Sequence, residues 1–276
     1  MSLLPRILSL LTLSLLICCG NPKEEHRKNI TELETKLIND SAPNIDKEIL
    51  DSLVSQYADF IHAYPDDPAT PGYLFEAGKL SKDYEMLREA VEYFRLFLTQ
   101  FPDHELVKDA GLLIENIKVE SSKQIIRYET KLMNDTAPRI DYQTSGMLVK
   151  QYADFAFSFP NDPKTPEYFF QAGHISKAIQ KPNKAIDYFQ NVYDNYPEHE
   201  RAAISIFLIA FSYETMLNQD DEALKYYQKF LDEFPDHELA KDARFSIEHI
   251  GISEEELIRM FEKNRSGQKD AEDVKR

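Results

Sequence analysis

A small residue, an aromatic four places on and a proline eight places after that recur along this chain as Ala90, Phe94, Pro102, as Ala185, Phe189, Pro197 and as Ala223, Tyr227, Pro235. Residues four apart share one face of a helix, and proline stops a helix because it lacks an amide donor and clashes with the preceding turn. Leu53, Tyr57, Pro65 and Leu148, Tyr152, Pro160 repeat the pattern with Leu in place of Ala. Alternating β-branched runs are absent and the chain has only 8 glycines, which leaves little room for strands. The pattern predicts helices near 28–40, 47–63, 71–82, 85–101, 104–118, 120–135, 143–159, 166–178, 183–196, 199–217, 220–233, 237–249 and 253–264, with 104–135 open to being one helix.

Longer stretches repeat as well. A shift of 95 residues lays "ETKLINDSAPNID" from Glu34 on "ETKLMNDTAPRID" from Glu129 and runs without a gap to Glu105 and Glu200, so 34–105 and 129–200 form an internal duplication. "FPDHELVKDA" at 101–110 returns as "FPDHELAKDA" at 234–243. We read this segment as a corner in which the aromatic ends one helix, proline stops it, and Asp103 or Asp236 caps the next. Thr70-Pro71 and Thr165-Pro166 read as N-cap followed by N1 proline. Gly78 and Gly173 mark places where a missing side chain lets two helices approach closely.

The small residue, aromatic and proline on a second helix, with Gly78 or Gly173 on the first, resemble the tetratricopeptide repeat over most of residues 30–248. The resemblance implies an all-α, superhelical solenoid of antiparallel helix pairs. Three departures accompany it. Successive prolines stand 37 or 38 apart within a block, where the family period is about 34. The Trp of the first helix is replaced by Leu74, by Phe169 and, in the third copy, by Phe207. The last copy needs a one-residue insertion. In the family the concave groove is lined by the first helix of each pair, which carries over to Phe75, Lys79 and Lys82 in one copy and to Phe170, His174 and Lys177 in the next. Phe207, Phe211 and Glu214 follow in the third. The family's Asn-and-Lys carboxylate clamp is missing from the pattern.

Charge and composition narrow the function. Acids outnumber bases 48 to 32, a formal charge of −16, which is the wrong sign for a nucleic-acid partner. The triplets at 103–105, 198–200 and 236–238 place His104, His199 and His237 between acids, but no second histidine follows at metal-binding spacing, and no metal or other cofactor is expected. Nucleophile elbows, phosphate loops and cysteine–histidine arrangements are absent, so the chain reads as non-catalytic.

The N-terminus carries its own signals. Arg6 and an apolar run from Ile7 to Ile17 read as a secretory signal, residues 1–18, too short for a permanent span. "LICC" before Gly20 resembles a bacterial lipobox, with Cys19 as the acylated residue. Residues 19–27 read as a flexible tether, and Lys23-Glu24-Glu25 within it resembles a surface-export signal, so periplasmic and surface-facing placements both stay open. Residues 28–265 are then the helical array and 266–276 a disordered tail. Asp40-Ser41-Ala42 and Asp135-Thr136-Ala137 resemble an O-glycosylation motif at Ser41 and Thr136, with an ordinary turn as the other reading.

Together these readings predict an outer-membrane lipoprotein, held to the membrane by its lipid anchor, that acts as a scaffold for a protein partner in envelope assembly. The alternative is a surface glycan-binding lipoprotein of a nutrient-uptake system. The chain's lack of Trp counts against it.

Overall fold

The computed structural model describes residues 21–39, 47–135, 139–252, 255, 256, 258 and 259. The expected signal segment, Cys19, Ser41, Thr136 and the tail at 266–276 lie outside these residues, as does most of the helix expected at 253–264. Among the described residues the regular structure is helical: α1 (Pro22–Asn39), α2 (Lys47–Ala63), α3 (Thr70–Asp83), α4 (Leu87–Gln100), α5 (Val107–Met133), α6 (Tyr142–Ser158), α7 (Thr165–Ala178), α8 (Pro182–Asn195), α9 (Arg201–Ser212), a π-helical turn (Tyr213–Leu217), α10 (Asp220–Glu233) and α11 (Ala240–His249). Connections of two to eight residues join successive helices, and within each unit such short links make consecutive helices antiparallel neighbours. The 95-residue shift carries α2, α3 and α4 onto α6, α7 and α8 with identical bounds.

The chain divides into two compact units. One runs to Gln124 and includes Phe157–Phe159; the other runs from Ile125 to Ala156 and from Pro160 onward. In the first, Leu53, Tyr57, Phe60, Leu74, Phe94 and Phe97 are buried between successive helices. In the second, Phe169, Phe170, Phe189 and Ile209 form one core, and Ile206, Ala210, Tyr227 and Phe230 a further one. Gly78 and Gly173 allow close approach as expected, and the partner is now visible. An added Cβ would stand 2.7 Å from the Phe94 ring at Gly78 and 2.5 Å from the Phe189 ring at Gly173. Where the aromatic is Tyr, a carboxylate receives its hydroxyl: Tyr57 donates to Glu34 at 2.6 Å, Tyr152 to Glu129 at 2.6 Å and Tyr227 to Glu214 at 2.5 Å.

The corners differ from expectation in which side chain does the work. The residue two places after each proline accepts the amide two places further on: Asp67 from Ala69, His104 from Leu106, Asp162 from Lys164, His199 from Arg201 and His237 from Leu239, at 2.9–3.2 Å. Its carbonyl then receives the amide three places on, as in Val107 to His104 and Ala240 to His237. Asp103 and Asp236 therefore are not the caps, because the turn brings Asp67, Asp162 or the imidazole Nδ1 to that amide first. Thr70 is likewise not an N-cap. It lies inside α3 and donates its hydroxyl to the Tyr64 carbonyl at 2.6 Å, leaving Ala69 at the cap position. Lys164 holds the cap position of α7, with Thr165 inside.

Two further differences have local causes. Residues 22–27, expected as tether, belong to α1. Lys23 and Arg27 pair with Asp67 at 2.9 and 2.5 Å, His26 sits edge-on to Phe60, and Ile30 is fully buried, so that segment gains enough contact to order. The one-residue insertion of the last copy is taken up by the π-helical turn after α9, whose wider ring admits one extra residue without breaking the helix. Before that turn the register is unshifted, and Ile206, fully buried, takes the place of Leu74 and Phe169.

Candidate partner-binding surface

The turn at 159–165 and the proline at the start of α7 set that helix, and a spacing of four then three places Phe170, His174 and Lys177 on one face. Phe170 is 4% exposed and belongs to the core. Its ring lies 4.7 Å from that of His174 and 5.8 Å from that of Phe189, and the Arg201 guanidinium covers it at 4.7 Å. Outward from this, His174 is exposed and Lys177 half-buried. The Lys177 ammonium sits 4.4 Å above the ring of Phe211 on α9, which is stacked on Phe207 at 6.5 Å. Three bases, His174, Lys177 and Arg201, and three aromatics, Phe170, Phe207 and Phe211, thus meet on the side of α7 that faces α9.

The electrostatics of this cluster are asymmetric. Arg201 is compensated by Glu167 at 2.9 Å. Burial opposes the charge on Glu167, but donors from Gln171 and Arg201 outweigh it and hold the carboxyl below its ordinary range. Lys177 contacts no carboxylate among the described residues, and burial against Phe211 lowers its pKa. Burial also lowers that of His174, with Lys177 and Arg201 adding like-charge repulsion. A desolvated cation beside a half-covered ring offers a partner one charged hydrogen-bond donor and one apolar contact.

The equivalent residues of the first unit do not assemble a comparable surface. Phe75 is 7% exposed and packs edge-on to Phe94 and Phe97. Lys79 is neutralised by Glu76 at 2.9 Å, and Lys82 lies 3.6 Å from Asp83. Glu214, named with the third copy, is taken by the Tyr227 hydroxyl. Sequence reasoning passed over Arg201. Its signal is that it occupies the corner position held by Leu106 and Leu239 in the other copies. Among the described residues no group of three His, Cys, Asp or Glu side chains could hold a metal ion. The imidazole Nδ1 atoms of His104, His199 and His237 already accept backbone amides.

The tetratricopeptide repeat family model matches residues 205–237, the stretch holding Ala223, Tyr227 and Pro235. Among solved structures the chain is similar to the TPR2AB domain of yeast Sti1 in its pHSP90 complex, at 13% identity over 82% of this chain and 89% of that one, with a TM-score of 0.34. It is similar to TTC0263, a thermophilic TPR protein of Thermus thermophilus, at 13% identity over 82% and 96%, with a TM-score of 0.31. MamA from Desulfovibrio magneticus RS-1 aligns at 13% identity over 80% and 99%, with a TM-score of 0.28. No curated protein matches the chain. The described residues thus form an all-α array of antiparallel helix pairs, of which residues 205–237 match the tetratricopeptide repeat.

Proposed function

We propose that this protein is a non-catalytic adaptor of the bacterial cell envelope, anchored in the outer membrane through acylated Cys19, that binds a protein partner on the α7–α9 surface of its second unit. The observation that carries the binding reading is Lys177, an ammonium without a carboxylate partner among the described residues, held against the half-buried ring of Phe211. Keeping a lysine partly desolvated and unneutralised costs stability, and a partner carboxylate or carbonyl on Lys177 recovers it. As an uncompensated cation on a chain of formal charge −16, Lys177 favours an acidic or acceptor-rich segment over a basic one. The lipobox-like "LICC" supports the anchor, and an acyl anchor confines the adaptor to a surface where its partner's effective concentration rises.

Affinity isolation from solubilised membranes tests this reading. A specific protein recovered with the unsubstituted chain is lost with Lys177→Glu and with Phe211→Ala while helicity and unfolding midpoint stay unchanged. Recovery that ignores both substitutions overturns the assignment of the surface.

A further inference from the structure

At the corners of this chain one side-chain atom closes the turn by accepting an amide, and that atom is a carboxylate oxygen in Asp67 and Asp162 but the imidazole Nδ1 in His104, His199 and His237. The two kinds differ in what a proton does to them. A backbone amide can only donate, so Nδ1 of each histidine carries no proton and the ring's proton sits on Nε2. An imidazole that takes up a second proton has donors at both nitrogens and can no longer receive the amide. Histidines as a class make this change between about pH 5 and 8, whereas an aspartate stays an acceptor down to about pH 4.

At His199 this change reaches the α7–α9 surface. The amide it receives, at 3.2 Å, is that of Arg201, the first residue of α9. The start of a helix leaves amides without partners, and Glu200, at the cap position of α9, makes no side-chain bond to them. From this backbone position the Arg201 guanidinium reaches Glu167 at 2.9 Å and covers the Phe170 ring at 4.7 Å. His199 also lacks a support that the other two histidines have. His104 and His237 stand edge-on to Phe97 at 5.3 Å and to Phe230 at 5.5 Å, and the equivalent position in the His199 copy is Val192.

Charged groups stand around the His199 ring on each neighbouring element. Glu198 and Glu200 flank it, both exposed, Glu167 acts on it from α7, and Arg201 follows it on α9. At the end of α8 the nearest titratable groups in sequence are Asp194 and Tyr196. On α10, beyond Pro197 and Ala202, Glu233 receives the Tyr193 hydroxyl at 2.7 Å and the Lys229 ammonium lies 4.4 Å from the Tyr193 ring, so both are already engaged. Three carboxylates against one guanidinium thus supply counter-charge to an imidazolium that has let go of the amide. We propose that His199 is a proton-operated latch: neutral, it fixes the first turn of α9 and with it Arg201, and protonated, it releases both. Its consequence, a weaker hold on a partner in mild acid, rests on the binding proposed for the α7–α9 surface; the latch itself does not.

Amide hydrogen exchange in the detergent-solubilised full chain, read by NMR and corrected for the intrinsic pH dependence of exchange, tests the latch. Protection of the Arg201 amide is expected to fall about fivefold between about pH 7.5 and about pH 5.5, the equivalent of one hydrogen bond of about 1 kcal/mol, while the Lys164 amide, held by Asp162, keeps its protection. His199→Asp should protect the Arg201 amide at both pH values. Asp162→His should move the pH dependence to the Lys164 amide, which gives a second route if His199→Asp folds poorly. Recovery of a partner at the lower pH should drop with the unsubstituted chain and persist with His199→Asp, His174 being present in both. Protection of the Arg201 amide that ignores pH, or a pH dependence that survives in His199→Asp, overturns the latch with or without a partner. A partner held equally at both pH values while the Arg201 amide is released overturns the role of the latch in binding. Release of the Arg201 amide in a chain that recovers no partner supports the latch and overturns the reading of the surface instead.

Discussion

His237 and Asp67 do the same job in different corners, and that equivalence makes the corner testable one residue at a time. The imidazole accepts the Leu239 amide at 3.1 Å and lies edge-on to Phe230 at 5.5 Å. His237→Ala removes both contacts and is expected to lower stability by about 1–2 kcal/mol in a urea titration. His237→Asp, which copies Asp67 and Asp162, is expected to recover the hydrogen-bond share, roughly 1 kcal/mol. Asp67 itself carries a pH signature. The Ala69 amide first, then Lys23 and Arg27, hold its carboxyl down at about 2. A depressed carboxylate contributes its full stability above its unfolded pKa of about 3.9 and loses it as pH falls through the folded value. Between about pH 4 and pH 2, therefore, Asp67→Asn should show a shallower loss of thermal stability than the unsubstituted chain. Gly173 sets two effects against each other. Alanine in a helix gains up to about 1 kcal/mol in propensity, but its Cβ would meet the fully buried Phe189 ring at 2.5 Å. Overpacking of that kind costs about 1–3 kcal/mol, so Gly173→Ala should destabilise on balance, read as a lower urea midpoint.

At the scale of elements, the turns inside helix pairs carry strain that a sequence reading does not reveal. Glu85 and Gln180, equivalent under the 95-residue shift, have φ of 58° and 59°, and Asn218 after the π-helical turn has 51°. Asn tolerates this left-handed region, whereas Glu and Gln carry a penalty of about 1–2 kcal/mol there. Gln180→Gly is expected to raise the unfolding free energy by about 1 kcal/mol, and the same exchange at Asn218 to change it little. The helix expectations at 47–63, 71–82, 166–178 and 220–233 match the observed elements within a residue or so, because each has an apolar face of regular period bounded by proline or a corner. Residues 22–27 escaped notice because their order depends on Asp67, some forty residues away in sequence, and not on any local pattern.

For the whole molecule, the duplication explains why one copy holds a candidate surface and the other does not. Phe75 and Phe170 are equivalent, and both are core. What distinguishes the copies is the neighbours: Glu76 neutralises Lys79, while Lys177 meets Phe211 and Phe170 meets Arg201, both from α9. Lys177→Glu should abolish partner recovery, whereas Lys79→Glu, at a position already neutralised, should leave it intact. Replacing Cys19 by Ser is expected to move the protein from the membrane fraction to the soluble one after cell disruption. The candidate site was half legible in the sequence. The helix and face could be read, since family positions map by spacing. That Phe170 turns inward and Phe211 lies under an ammonium could not, since both depend on which helix packs next.

The sequence by itself determined the helical class, the 95-residue duplication, the proline corners and the need for glycine at 78 and 173, because all of these follow from local sterics and periodicity. Tertiary structure decided which polar atom closes each corner, how the extra residue of the last copy enters the π-helical turn, and which of the repeated lysines keeps an uncompensated charge. Those outcomes depend on distances between residues far apart in the chain, and a pattern of spacings does not carry them.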